Sequence, residues 1–227
     1  MPKLRNQSIV SAGTPVANGV VTSQAVAAGA FAVLNGALVS TLVTLGVPFL
    51  SANLLNSNGY AQPLIITSAG NDSGITWTIT GTGYSGAPLT EVLAGANAGA
   101  AVSANLYATV TSIKASGATA STITAGTDTT QYGPWLIVGA QKNEFQTNVR
   151  AFIGTTANAA TATYSIQATS DINIMNQVGG YADDIDVLAT GLTQNVSSYP
   201  NAPWMAYRLV VTAGGPVTLR ILENRTA

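Results

Sequence analysis

Three stretches of this 227-residue chain carry side chains spaced as chemistry would need them. The first is Gly81-Thr82-Gly83-Tyr84-Ser85-Gly86, a G-x-G-x-x-G run that follows a strand-like segment. In a dinucleotide site such glycines lead into a helix whose N-terminus faces the pyrophosphate. Here the chain continues Ala87-Pro88-Leu89-Thr90-Glu91-Val92, which reads as another strand, and no acid follows about twenty residues on to hold a ribose. The run therefore predicts a glycine-rich turn. The second stretch is Asp183-Asp184-Ile185-Asp186, with Asp171 upstream. Oxygen ligands in a loop could hold Ca²⁺, which takes about six to eight of them, and two carboxylates across a cleft could hydrolyse a glycoside. The spacing is not that of an EF-hand and no Glu closes it, so a solvated acidic turn is the simpler expectation. The third is a set of aromatics in the C-terminal half, Trp135, Tyr181, Tyr199, Trp204 and Tyr207. Presented on loops, such rings stack on sugars or anchor a protein partner. Trp135 opens a strand and reads as core. In the Tyr199–Trp204 segment two prolines hold the chain extended, and Trp204 fits interface and core equally well.

What the chain lacks decides more. It contains no His and no Cys, which removes zinc enzymes, Ser-His-Asp and Cys-His hydrolases and any disulfide framework. Charged residues make up 7% of the chain against about 25% in ordinary domains. Eight basic and nine acidic residues give a net charge of −1, no basis for a phosphate-binding surface. The bulk is Ala (36), Thr (29) and Gly (23), so the surface is wetted by hydroxyls and amides. Little repulsion keeps copies apart, which favours association. The expectation is an assembly component with no catalytic residues, no cofactor and no metal, whose partners exclude nucleic acid.

The elements that would position these groups are strands. Between Arg5 and Asp72 no charge occurs. Within that stretch Gly29 to Leu50 is long enough for a bilayer span. It is broken by Asn35-Gly36, Ser40, Thr41 and Thr44, and lacks close basic flanks. Asn-Gly between Phe31–Leu34 and Ala37–Leu45 instead predicts a hairpin, so no membrane partner is expected. No apolar run directly follows Met1–Arg5 as a signal peptide would need. Further strands are expected at Gln62–Ser68, at Ile75–Thr80 with Trp77 and Ile79 on one face, and at Pro88–Leu93, Leu106–Ile113 and Ala120–Ala125. Residues 126–134 hold turn formers and mark a boundary. Beyond it come Trp135–Val138, Phe145–Ile153, Tyr164–Thr169 and a hairpin of Met205–Thr212 with Pro216–Leu222. Residues 170–204 read as irregular, with a helical turn at Leu188–Leu192. The fold class is all-β, an antiparallel β-sandwich or jelly-roll-like architecture with little helix. Residues 1–58, uncharged after Arg5, are expected to form an interface segment, 59–128 a sandwich that this segment completes, and 129–227 a second sandwich. Phe31, Leu34, Leu42, Leu45 and Phe49, with Tyr181, Tyr199 and Trp204, are the expected interface residues.

The run Thr67-Ser68-Ala69-Gly70-Asn71-Asp72-Ser73-Gly74-Ile75-Thr76-Trp77-Thr78-Ile79-Thr80-Gly81-Thr82 resembles a segment of tailed-bacteriophage virion structural proteins. Thr90-Glu91-Val92, the Gly-Ala-Asn-Ala-Gly link at 95–99, Val110-Thr111-Ser112-Ile113, Pro134-Trp135 and Arg208-Leu209-Val210-Val211 are similar to the same proteins, covering most of residues 60–222. The resemblance implies a capsid decoration or cement protein of the virion, or else a tail or head-fibre component with a sugar- or receptor-binding role. It also implies packing as a homo-oligomer, such as a trimer, against the major capsid protein or other virion proteins, and carries no catalytic residue.

Overall fold

The structure, a computed structural model, describes residues 3–10, 16–44, 47–56, 59–137, 145–153, 162–171, 185–194, 196–198 and 204–225. Among them are eighteen strands and no helix, and the pairings are antiparallel. The chain divides into two units, one of residues 14–128 and 176–178, the other of 1–13, 129–175 and 179–227. Residues 1–58, read above as one segment, are thus shared out. Strand β1 (Lys3–Val10) pairs with a strand near the C-terminus, while the rest of the segment completes the first unit.

That first unit is a two-sheet sandwich. One sheet contains β2 (Val16–Gln24), β5 (Gln62–Ser68), β8 (Ala100–Tyr107) and β10 (Ile123–Thr127) in the order β2-β10-β5-β8. The other contains β3 (Val39–Thr44), β4 (Val47–Asn53), β6 (Thr76–Thr82), β7 (Pro88–Ala94) and β9 (Thr109–Ala115) in the order β3-β4-β9-β6-β7. The alternation read from Ile75 to Thr80 is realised: Trp77 and Ile79 are buried, the threonines between them half-exposed. They meet Val20, Val21, Leu64, Ile66 and Ile123 from the facing sheet. Each such side chain contributes about 1.5–3 kcal/mol on leaving water, which is how a chain with so few charges holds a fold.

Two expectations fail here for identifiable reasons. Asn35-Gly36 is not a hairpin turn, and Phe31–Leu34 is not a strand. The Asn35 and Gly36 N–H groups donate to the Val20 carbonyl, and Leu38 N–H donates to that of Gly19, so the segment is bound across β2. The crossing is so close that a Cβ on Gly36 would run into the Gly19 backbone. The hairpin lies further on, between β3 and β4, with Thr44 opposite Val47. Likewise Leu106–Ile113 is not one strand. Leu106, Tyr107 and Ala108 are buried in succession, which a strand facing a single core cannot do. The chain changes sheet at Ala108, whose N–H donates to the Thr82 carbonyl.

In the second unit one sheet has the order β1-β18-β13-β16, with β13 (Phe145–Ile153), β16 (Val196–Ser198) and β18 (Val217–Arg225). Its partner sheet has the order β11-β17-β14-β15, with β11 (Gln131–Tyr132), β14 (Ala162–Thr169), β15 (Ile185–Leu192) and β17 (Ala206–Gly214); β12 (Leu136–Ile137) also pairs with β17. Tyr164, Ile166, Tyr207, Leu209 and Val211 from one sheet meet Val217, Leu219 and Ile221 from the other. The expected hairpin of residues 205–222 is therefore an arch: β17 and β18 follow one another but lie in different sheets. Gly214 and Gly215, at φ 62° and 119°, take backbone conformations that L-residues avoid, and the chain passes there from one sheet to the other. Leu188–Leu192, read as a helical turn, belongs to strand β15, and β11 falls inside the stretch read as pure boundary.

Candidate interaction surface

The G-x-G-x-x-G run is a turn. Gly83 N–H donates to the Ala87 carbonyl and Gly86 N–H to that of Gly83, after which the chain returns as β7. Among the described residues no helix start faces it. Of the acidic stretch, Asp183 and Asp184 lie outside the described residues. Asp186 stands in β15 opposite Ala168, and Asp171 closes a turn in which its N–H donates to Thr169 Oγ1. Among the described residues no group of three His, Cys, Asp or Glu side chains could hold a metal ion, and no helix is long and apolar enough to cross a membrane.

The expected interface residues fare differently from one another. Leu34 is 6% exposed and belongs to the core of its own unit, so it has no free surface to offer. Phe31 is 61% exposed, with Lys114 Nζ 5.6 Å from its ring centre. Leu42 and Phe49 stand directly opposite each other on β3 and β4, and both are exposed, as is Leu50. Leu45, Tyr181 and Tyr199 lie outside the described residues. Trp204 is half-buried against the second core, while Tyr207 is fully buried.

Leu42, Phe49 and Leu50 sit on an arm. Strand β4 joins the body of its sheet through only two residue pairs, Ala52 with Val110 and Asn53 with Thr109, whereas β3 and β4 match each other over six. Opposite residues of an antiparallel pair share a face. Leu42 and Phe49 are therefore on one face of the hairpin, and Leu50 is on the other with Thr41. An apolar ribbon exposed on both faces is poorly stable alone in water.

The other margins of the unit are closed by side chains that sequence reading overlooked. Glu91 on β7 accepts from the backbone N–H of Ala104 and Asn105, from Asn105 Nδ2 and from the Tyr107 hydroxyl. The Ala104 and Asn105 groups lie where β8 slips register against β5, between the pairs of Pro63 and Ile65. Burial first, and then the Glu91 carboxylate, raise the Tyr107 hydroxyl well above the usual phenol range. Gln24 meets both backbone groups of Val33, and Thr22 N–H donates to Asn35 Oδ1, closing β2. Asp72 is buried and accepts from Ala120 N–H at 2.7 Å, fastening the 69–74 turn. In the second unit Arg208 is fully buried. Its guanidinium lies 4.4 Å from the Trp135 ring centre and 5.0 Å from that of Tyr132, and Nε donates to Gln167 Oε1 at 2.7 Å. Burial pulls Arg208 down to about 9, and pushes Tyr164 and Tyr207 up to about 12. These groups hold the fold, and a lone Glu or Arg among Thr and Val gives no sequence pattern to find them by.

No protein-family model, curated protein or solved structure matches the chain.

Proposed function

We propose that this chain is a structural component of a bacteriophage particle, a capsid decoration or cement protein that acts through packing in a homo-oligomer and performs no chemistry. The phage part of this reading rests on the sequence resemblance at residues 67–82, 90–92, 95–99, 110–113, 134–135 and 208–211. One observation carries the packing part: the β3–β4 arm presents Leu42, Phe49 and Leu50 to solvent, inside a stretch free of charge from Asn6 to Asn71. Exposed apolar groups gathered on a projecting element mark interaction sites. The charge that solubilises a free monomer is missing there, so the arm suits a lattice of neighbours. Marginal stability of each copy is then supplemented by contacts between copies.

Purified particles of the virus encoding this sequence provide the test. The protein should be present in them by mass spectrometry, visible as surface density in electron micrographs, and absent from deletion particles that lose their genome at lower temperature. Particles that lack the protein, or deletion particles with unchanged density and heat resistance, overturn the reading.

A further inference from the structure

The edges of the first unit are unequal. Each sheet of a sandwich ends in two strands whose outer N–H and C=O groups lack a ladder partner, and natural proteins blunt such edges with charges, prolines, bulges or covering segments. Edge β2 is covered by residues 33–38 through backbone and side-chain hydrogen bonds. Edge β8 has a register slip, and the Glu91 carboxylate is seated on its Ala104 and Asn105 N–H groups. Edge β7 carries Pro88 at its start and Glu91 in its middle. Edge β3 reads Val-Ser-Thr-Leu-Val-Thr, with no charge and no proline, and its ladder to β4 runs over six pairs without a slip. Among the described residues it has none of the protecting devices of its three counterparts.

We propose that β3 pairs antiparallel with β3 of a second copy of this chain about a two-fold axis, joining two five-stranded sheets into one. Resting on the assembly reading above, this pairing adds the surface and its symmetry. A copy is the occupant for three reasons. Among the described residues of the unit β3 is the one edge without such protection, and the same strand on an identical molecule offers it a matching edge, which makes the contact isologous. The strand is neutral and rich in β-branched residues, so no like charges meet when it faces itself. The whole chain, at a net charge of −1, sets up little repulsion between copies. An axis normal to the joined sheet keeps each residue on its own face, so odd residues pair with odd and even with even. The axis must then pass through a self-paired residue near mid-strand, Thr41 or Leu42. Leu42 and Phe49 of both copies would form one continuous apolar face.

Because the chain has no Cys, single cysteines report this pairing cleanly. Paired Cβ atoms stand about 4.5–5.5 Å apart, near the reach of a disulfide. The full-length variants Thr41→Cys, Leu42→Cys and, as a control on an exposed β8 position, Val102→Cys would be oxidised and run on non-reducing gels. Wild type and the Thr41→Lys/Leu42→Lys double variant would be weighed by light scattering, with circular dichroism confirming the fold. The expected result is a cross-linked dimer from position 41 or 42 and not from 102, with the double-lysine variant falling to 23.0 kDa. An oligomer that survives the lysines and cross-links at neither 41 nor 42 overturns the β3 pairing and leaves the assembly reading standing. Equal cross-linking at 102 also overturns it. A wild-type monomer found on particles makes a different protein the occupant and overturns the pairing alone; a monomer absent from particles overturns both.

Discussion

Strands β7 and β3 close the two ends of the same five-stranded sheet, and they are built to opposite rules. On β7, Glu91 reaches across to the facing sheet, takes up N–H groups of β8 and holds Tyr107, while Pro88 withholds a donor. Among the described residues nothing does this on β3, and the two faces of its hairpin expose Leu42, Phe49 and Leu50. Only four charged residues lie in the stretch from Thr14 to Asp128, with one on β7 and none on β3. Electrostatics in this unit is a local device for sealing one margin.

Both ends rest on one core, and the largest effect follows from removing it. Trp77→Ala should cost about 3–5 kcal/mol and melt the whole unit in one denaturant transition. Separate loss of the two edges would mean that the arm is an independent element.

Alkali separates the ends next. The raised Tyr107 pKa means that the unfolded chain releases this proton first, so its contribution to stability is complete below about pH 10 and is lost as pH rises beyond it. Ionised Tyr107 would also face the Glu91 carboxylate. The thermal midpoint should therefore hold up to about pH 10 and fall as pH is raised beyond it, and Tyr107→Phe should blunt that fall. Arg208, lowered in the second unit, works with the opposite sign: its burial penalty is present below about pH 9 and eases above it. No loss in the alkaline range for wild type would contradict the Tyr107–Glu91 linkage.

Removing the seal itself is a smaller change. Glu91→Ala leaves the Ala104 and Asn105 N–H groups to water and should cost about 1–2 kcal/mol in urea denaturation, with light scattering rising as a second edge opens. Smallest in stability is Leu42→Lys, expected within about 0.5 kcal/mol of wild type when both are unfolded at a dilution where each is a monomer, because the side chain is already exposed. A loss well beyond that would show Leu42 to be packed within its own molecule.

The sequence made the strands visible where two-residue alternation ran undisturbed, as at Ile75–Thr80, and the all-β class with them. It misled wherever the chain changed sheet. Leu106–Ile113 and Met205–Leu222 look like a strand and a hairpin because a local pattern cannot say which sheet a residue joins; Ala108 and Gly214-Gly215 decide that through contacts distant in sequence. Asn35-Gly36 has the composition of a hairpin turn, yet its partner is β2. Leu42 and Phe49, read from their uncharged surroundings as interface residues, are exposed, whereas Leu34 in the same run went to the core. Glu91 was hidden altogether, since its role arises from a register slip in β8.

Amide hydrogen exchange across Val39–Thr44, followed as protein concentration is raised, tests most directly whether the bare edge is where this chain meets another. Exchange there should slow with concentration while that of β7 stays constant, because pairing protects only the amides it engages. Rapid exchange of β3 at every concentration, in a protein whose mass is nonetheless a multiple of 23.0 kDa, would contradict it.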